Sequence, residues 1–132
     1  MRILMISAAI LLAATPGAAR DTSIPEATPT GPAVDCIPLQ NVRSTHVRSD
    51  DIIDFEMTNG RFFRNKLPYS CPQLGFEQRF LFKTSTTQYC SVDTITVLTS
   101  GGGPGGLSRG ATCGLGQFQP VTIAKRVKPA KQ

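Results

Sequence analysis

Hydrophobic and polar side chains alternate in the middle of the chain, and this is its clearest pattern. Ile53, Phe55 and Met57 fall on one side of an extended strand, whereas Asp54 and Glu56 fall on the other side. A period of two residues is typical of a strand that buries one face and exposes the other to solvent. The pattern therefore predicts a half-buried β-strand here.

A hairpin is predicted directly after this strand, because Asn59-Gly60 is a strong signal for a tight turn. A two-residue turn would place Phe55 opposite Arg64 and would mix core and solvent groups on one face. A three-residue loop, Thr58–Gly60, places Phe55 opposite Phe63 and separates the two kinds of side chain. We therefore predict the three-residue loop, since a slip of one residue would turn every side chain to the wrong face.

Four further segments have the alternation or the β-branched residues of strands, and no segment has a convincing helical period. These segments are Cys36–Arg48, Arg79–Lys83, Gln88–Leu98 and Ala111–Ile123. The third segment needs a bulge near Asp93 to keep its hydrophobic residues on one face. A short helical turn is expected near residues 72–77, and a flexible loop at residues 100–110. The predicted fold is all-β, a small antiparallel barrel or sandwich of five to six strands that disulfides hold together.

The two ends of the chain differ from its middle. Met1–Ala19 has one basic residue, an uncharged apolar stretch and small residues before a cleavage point, which predicts a signal peptide. An uncleaved anchor or a buried helix is the alternative, although the apolar stretch is shorter than the roughly 20 residues that cross a bilayer. Residues 20–35 are rich in proline and threonine and predict a linker. Residues 36–124 are expected to form the β-domain, and residues 125–132 a basic tail.

The cysteines indicate structural disulfides. Their positions are Cys36, Cys71, Cys90 and Cys113. No Cys-x-x-Cys pair occurs, and the chain has a single histidine, so the spacing favours neither a metal site nor a redox centre. Two disulfides suit a small exported domain, and three pairings are possible. We prefer Cys36 with Cys113, to tie the first strand to the last, and Cys71 with Cys90.

The formal charge of +5 arises mostly at the C-terminal end. Residues 36–124 contain eight Lys and Arg against six Asp and Glu, whereas the tail adds Lys125, Arg126, Lys128 and Lys131. Four charges without interleaved aromatic residues do not favour nucleic acid as a partner. A solvated end is the simpler interpretation, and contact with an anionic surface is the alternative. No cofactor and no transmembrane segment are predicted.

Candidate catalytic residues are few. His46 could share one face of a strand with Ser44 and Asp50, which would give a nucleophile, a base and an acid. A surface histidine on a polar strand is the simpler interpretation, so no catalytic residue is predicted. The glycines at 101–106 match a phosphate-binding motif by letters alone, because no helix follows them.

The charged and aromatic side chains have structural interpretations. Asp54 and Glu56 are expected to form an exposed charged ladder with Arg64 and Lys66 on the neighbouring strand. Most of the aromatic residues are core candidates, although a stripe of exposed aromatics that binds a glycan or a peptide is an alternative. These core candidates are Phe62, Phe63, Tyr69, Phe76, Phe80, Phe82 and Tyr89.

Several segments resemble a family of small exported bacterial proteins of unknown function that have four cysteines. The resemblance lies in Cys36-Ile-Pro-Leu-Gln-Asn-Val, Val47-Arg-Ser-Asp-Asp-Ile-Ile-Asp-Phe, Leu67-Pro-Tyr-Ser-Cys-Pro-Gln-Leu-Gly-Phe, Tyr89-Cys-Ser-Val-Asp and Cys113. It covers about residues 35–122. The resemblance implies a bacterial envelope location, and it supplies no activity and no catalytic residues.

These observations favour an exported protein, periplasmic or secreted, that is a non-enzymatic binding or envelope-support module. Its ligand or envelope partner is not indicated by the sequence. One alternative is a small periplasmic hydrolase that uses His46 and a nearby carboxylate. Another is a protein that binds an anionic surface through residues 125–131.

Overall fold

A computed structural model describes residues 24–84, 86–103 and 105–124 of the chain. The predicted signal peptide and the predicted basic tail lie outside these residues. The regular secondary structure of the described part is mostly β-strand, with one 3-10 turn at Leu39–Asn41 and one short helix, α1, at Leu74–Glu77. The helical turn expected near residues 72–77 is confirmed. The strands are β1 (Ala27–Pro29), β2 (Cys36–Pro38), β3 (Val42–Val47), β4 (Ile52–Met57), β5 (Phe62–Lys66), β6 (Phe80–Lys83), β7 (Gln88–Cys90), β8 (Thr94–Ser100), β9 (Leu107–Gly114) and β10 (Phe118–Ile123).

The largest sheet has five antiparallel strands in the order β1-β10-β5-β4-β3. The predicted hairpin register is confirmed, because Phe55 lies opposite Phe63. Gly60 closes the loop with a φ of 81°, in the left-handed region that glycine occupies without strain. The backbone N–H of Gly60 donates to the carbonyl of Met57, which is the bond of the tight turn (2.9 Å).

Two smaller antiparallel sheets complete the fold, one of β2 and β7 and one in the order β6-β8-β9. The single bulged strand predicted over residues 88–98 is wrong. A turn at residues 91–93 separates β7 from β8, and the two strands belong to different sheets. The side chain of Asp93 stabilises this turn by accepting a hydrogen bond from the N–H of Cys90 (2.8 Å). A local side-chain bond of this kind competes with continuation of the strand.

A mostly β fold of antiparallel sheets is confirmed, but the number and arrangement of strands differ from the prediction. The described residues form ten short strands in three sheets, and these sheets do not close into a barrel. The long segments expected as single strands are divided by turns. The segment from Cys36 changes direction at the 3-10 turn, and the last segment divides at residues 115–117 between β9 and β10.

The hydrophobic core is shared by all three sheets. Phe55 on β4 contacts Phe118 on β10 and Tyr89 on β7, with ring centroids 5.3 and 5.5 Å apart. Tyr89 also meets Phe82 on β6 edge to face, at 3.7 Å. These contacts join three sheets through one aromatic cluster, because each sheet contributes at least one ring.

Two disulfides form, as predicted, but the preferred pairing is wrong. Cys36 pairs with Cys90, directly across β2 and β7, and Cys71 pairs with Cys113. The turn at residues 91–93 is the physical reason, because it places Cys90 in register with the first cysteine. In the loop-entropy model, separations of 54 and 42 residues correspond to about 4 kcal/mol for each bond.

The linker predicted for residues 20–35 is wrong for part of that range. Ala27–Pro29 forms the edge strand β1 against β10, and Val34 forms an isolated bridge with Phe118. Pro29 is tolerated because it ends an edge strand. The N–H of Thr30, one residue later, donates to the carbonyl of Pro120 (2.9 Å). The N-terminal segment therefore belongs to the folded domain from its first described strand.

Candidate functional site

One face of the five-stranded sheet has a buried carboxylate held by two arginines. Asp54 on β4 is completely buried, and its Oδ1 accepts a hydrogen bond from Nε of Arg64 at 2.7 Å. Its Oδ2 accepts from Nε of Arg48 at 2.8 Å and from Nη2 of Arg64 at 3.0 Å. Arg64 also donates to the carbonyl of Pro25 at 2.9 Å. Every oxygen of this carboxylate is satisfied, so the cluster has no free group for chemistry.

The exposed charged ladder predicted for this face is therefore wrong in two respects. The predicted contact between Asp54 and Arg64 exists, but Asp54 is buried because Arg48 and Arg64 close over it. Lys66 lies opposite Ile52, and Glu56 lies opposite Phe62. Glu56 takes its partners from β3 instead.

Ser44, His46 and Glu56 form a half-exposed polar cluster on the same face. Nε2 of His46 lies 3.0 Å from Oε2 of Glu56 and 3.2 Å from Oγ of Ser44. The hydroxyl of Ser44 donates to the same Oε2 at 2.8 Å. Among the described residues, this is the arrangement closest to a nucleophile, a base and an acid.

The connections in this cluster differ from those of a catalytic triad. In a triad, one ring nitrogen of the histidine meets the hydroxyl and the other meets the carboxylate. Here a single nitrogen of His46 approaches both groups, and the hydroxyl of Ser44 is bound to the carboxylate. The histidine is therefore not placed to take the proton of Ser44 while Glu56 orients the opposite side of its ring.

The surroundings of Glu56 favour its charged form. Hydrogen bonds from His46 and then from Ser44 lower the pKa of Glu56 below its ordinary value of 4.5, and Arg43 contributes less. Arg43 lies 3.9 Å from Oε1, and its side chain is largely exposed. The cluster thus holds an ionised carboxylate at the sheet surface.

Asp50, the third residue considered with His46 and Ser44, lies in a different place. Its Oδ1 accepts a hydrogen bond from the N–H of Gly75 at 2.8 Å, and its carbonyl accepts from the N–H of Cys71 at 2.7 Å. A Cβ at Gly75 would lie 3.1 Å from the backbone of Asp50, so glycine permits the close approach. Asp50 therefore anchors the segment around α1 and has no contact with the histidine.

That segment, residues 68–77, is the most distinctive surface of the described chain, and we call it the aromatic loop. Tyr69 and Phe76 are 83% and 85% exposed, although both were core candidates. Cys71 and Leu74, between them, are completely buried. The loop is thus fixed from beneath while its two aromatic rings face solvent.

Two further features hold the aromatic loop in place. The disulfide between Cys71 and Cys113 ties it to β9, and Asp50 binds two of its backbone N–H groups. Gln73 and Gln78, which flank α1, have φ angles of 67° and 55°, and they are the non-glycine residues with positive φ in the part of the chain that the structure describes. Each such conformation costs roughly 1–2 kcal/mol. Surrounding contacts must offset that cost, and backbone strain of this kind concentrates at functional sites.

The remaining predicted features add no chemistry in the described residues. No group of three or more His, Cys, Asp or Glu is gathered closely enough there to hold a metal ion. No helix in the described ranges is both long enough and apolar enough to cross a bilayer. Of the other predicted core aromatics, Phe63, Phe80, Phe82 and Tyr89 pack against the core. Phe62 lies near the ring of His46, with centroids 6.2 Å apart.

Comparisons with protein-family models, curated proteins and solved structures found no match to this chain. The resemblance to a family of exported bacterial proteins therefore stays a prediction. The aromatic loop was missed because Tyr69 and Phe76 were grouped with core aromatics by residue type. Pro68 and Pro72, on either side of Cys71, do predict a turn here, but that turn was not connected with exposure of the two rings.

Proposed function

We propose that this protein is a non-enzymatic binding module of the periplasm or the extracellular space, and that it binds a protein partner through the aromatic loop. The observation that carries the proposal is the near-complete exposure of Tyr69 and Phe76 on a loop whose other hydrophobic residues are buried. Exposed aromatic side chains on a rigid support are typical anchors of protein interfaces.

The two disulfides support an oxidising compartment. All four cysteines are paired, and such bonds persist in the periplasm and outside the cell. The bond between Cys71 and Cys113 also supports the binding role. It fixes the loop before binding, so less conformational entropy is lost when a partner is bound.

The exposure of the two rings favours a protein partner over a small molecule. Small ligands bind in concave sites that surround most of their surface. A side chain that is more than four-fifths exposed has no such walls around it, as is true of Tyr69 and Phe76. These rings instead have the form of projections that fit into pockets on another surface.

The hydrolase alternative receives little support from the cluster at His46. A nucleophile must meet its base while the base is oriented by a third group. Here the carboxylate of Glu56 binds both Ser44 and the nearer nitrogen of His46. It therefore competes with proton transfer from Ser44 to His46. A screen of ester, glycan and peptide substrates tests this alternative, and turnover that is lost in His46→Ala would restore it.

Photo-crosslinking from the aromatic loop tests the binding role. A photoreactive amino acid at position 76, in the exported protein in its host, should give one dominant crosslinked protein. The unlabelled double variant Tyr69→Ser/Phe76→Ser, present in excess, should fail to compete for that product, whereas the unlabelled wild-type chain should compete.

Val92 provides the matched control, because it is 87% exposed and lies outside the aromatic loop. The variant Val92→Ser should compete as well as the wild type. Equal competition by the double variant would contradict the proposal. Crosslinking only to glycan or lipid would also contradict the assignment of a protein partner.

A further inference from the structure

A second candidate binding site lies at one end of the five-stranded sheet. It is a cleft of about 550 Å³ between the beginning of β5 and the end of β10. We call it the terminal cleft. Its walls include the apolar residues Phe62, Phe63, Pro120, Val121 and Ile123, and Arg61 stands among them. None of its lining residues belongs to the aromatic loop, so this site is independent of the proposed protein interface.

The cleft exists because two neighbouring strands stop pairing at different points. Pairing between β10 and β5 ends with Val121 opposite Phe62, but β10 continues to Ile123 beside β1. A gap with apolar walls therefore opens where the next pair of residues would meet.

The backbone supplies polar groups inside this gap. The N–H of Thr30 donates to Pro120, and the N–H of Ala124 donates to Glu26, so alternate residues of β10 bond towards β1. By the alternation of an antiparallel sheet, the N–H and carbonyl of Ile123 point to the opposite side, towards the cleft. A ligand there would find one donor and one acceptor on the strand.

The charge of the cleft is positive. The side chain of Arg61 is exposed, and within the described ranges its guanidinium is not among the groups that form salt bridges. None of the lining residues is acidic. In the sequence, Lys125 and Arg126 follow Ala124.

We propose that the terminal cleft binds a single-chain amphipathic anion, a molecule with an apolar chain and one carboxylate. The apolar walls accept the chain, and Arg61 pairs with the carboxylate at the rim. The volume lies in the range of small-molecule sites, which are mostly apolar with a few placed polar groups. Two-chain lipids in a membrane are less suited, because one gap between two strand ends admits one chain.

Calorimetric titration with decanoate, below its micelle-forming concentration, tests the site. Decanol is the neutral control of equal chain length. Decanoate should bind more tightly than decanol, by roughly fivefold, because a solvent-exposed ion pair contributes little more than that. Equal affinities, or no binding of either ligand, would overturn the proposal.

Two arginine variants locate the charge. Arg61→Gln should remove the preference for decanoate and leave decanol binding unchanged. Arg109→Gln is the matched control, since Arg109 is exposed on β9, in a different sheet. Loss of the preference in both variants, or in neither, would overturn the role of Arg61.

Two further variants distinguish the contribution of the apolar walls to binding from the contribution of the C-terminal tail. Ile123→Ala should weaken both ligands by a similar factor, because it removes apolar wall without changing charge. A chain ending at Ala124 should keep the preference for decanoate, with a decrease of at most about threefold at low salt. If truncation alone abolished the preference, the tail and not Arg61 would hold the anion, and the proposal would fail.

Discussion

Asp54 and Glu56 lie two residues apart on β4 and on the same face of the sheet, but their surroundings differ sharply. Asp54 is completely buried and is held by two guanidinium groups at 2.7–3.0 Å. Glu56 has a partly exposed side chain and is held by a hydroxyl, an imidazole and a distant arginine. A carboxylate on this face of β4 therefore has a structural role at position 54 and belongs to a surface cluster at position 56.

The difference shows how burial sets the requirement for partners. A buried carboxylate that lacks a partner is costly, so its oxygens must all be paired. A carboxylate at the surface can bind water whenever a protein partner moves away. We therefore expect Asp54 to control folding stability, whereas the cluster around Glu56 tolerates change.

Removing each carboxylate is the strongest test of this difference. Asp54→Ala should lower the free energy of unfolding by about 3–5 kcal/mol, because it leaves Arg48 and Arg64 near the sheet without their shared counter-charge. Glu56→Ala should cause only a small change. Urea denaturation at neutral pH measures both, and equal losses would contradict the distinction.

Replacing each arginine by lysine gives a smaller and more specific effect. Arg64 uses two nitrogens on Asp54 and also binds the carbonyl of Pro25, whereas Arg48 makes one contact. Lysine cannot reproduce the fork of the guanidinium group. Arg64→Lys should therefore cost about 1.5–3 kcal/mol, and Arg48→Lys less than about 1.5 kcal/mol.

Urea denaturation is again the measurement for these variants. Arg109→Lys is the control on the exposed side of another sheet, and it should leave the midpoint unchanged. A larger loss for Arg48→Lys than for Arg64→Lys would show that the carbonyl of Pro25 and the second nitrogen contribute nothing.

The local hairpin could be predicted from the sequence, because its information lies in neighbouring residues. The alternation around Phe55 and the turn at Gly60 were sufficient to give the register with Phe63. The burial of Asp54 could not be predicted in this way. Alternation indicates which face a residue occupies, but not which other groups pack over that face. Here Arg48 binds Asp54, and the carbonyl of Pro25 binds Arg64.

The predicted disulfide pairing and the predicted burial of Tyr69 and Phe76 were wrong for different reasons. The pairing depended on the turn that ends β7 at Cys90, which a bulged strand would have hidden. Tyr69 and Phe76 were treated by residue type, although their exposure depends on the anchoring of Cys71 and Leu74 beneath them. A local side-chain bond decided the first case, whereas contacts between residues distant in the sequence decided the second, and a single sequence does not record those contacts.

The dependence of the free energy of unfolding on pH, at acidic pH, gives the smallest expected effect and tests the cluster around Glu56. Hydrogen bonds from His46 and then Ser44 lower the pKa of Glu56 in the folded protein, and Arg43 is the other charged group that faces it. A lowered folded pKa means that the stabilising contribution is present above the ordinary value of 4.5 and is lost as the pH falls through the folded value.

Glu56→Gln should therefore flatten the fall in stability below that pH and leave the slope at neutral pH unchanged. Ser44→Ala should do so to a smaller degree, because its hydrogen bond is the second of the two causes. Chemical denaturation at closely spaced pH values, at low and high salt, measures these slopes. If Glu56→Gln left the fall in stability on the acid side unchanged, the lowered pKa of Glu56 would not be linked to folding, and the prediction would be wrong.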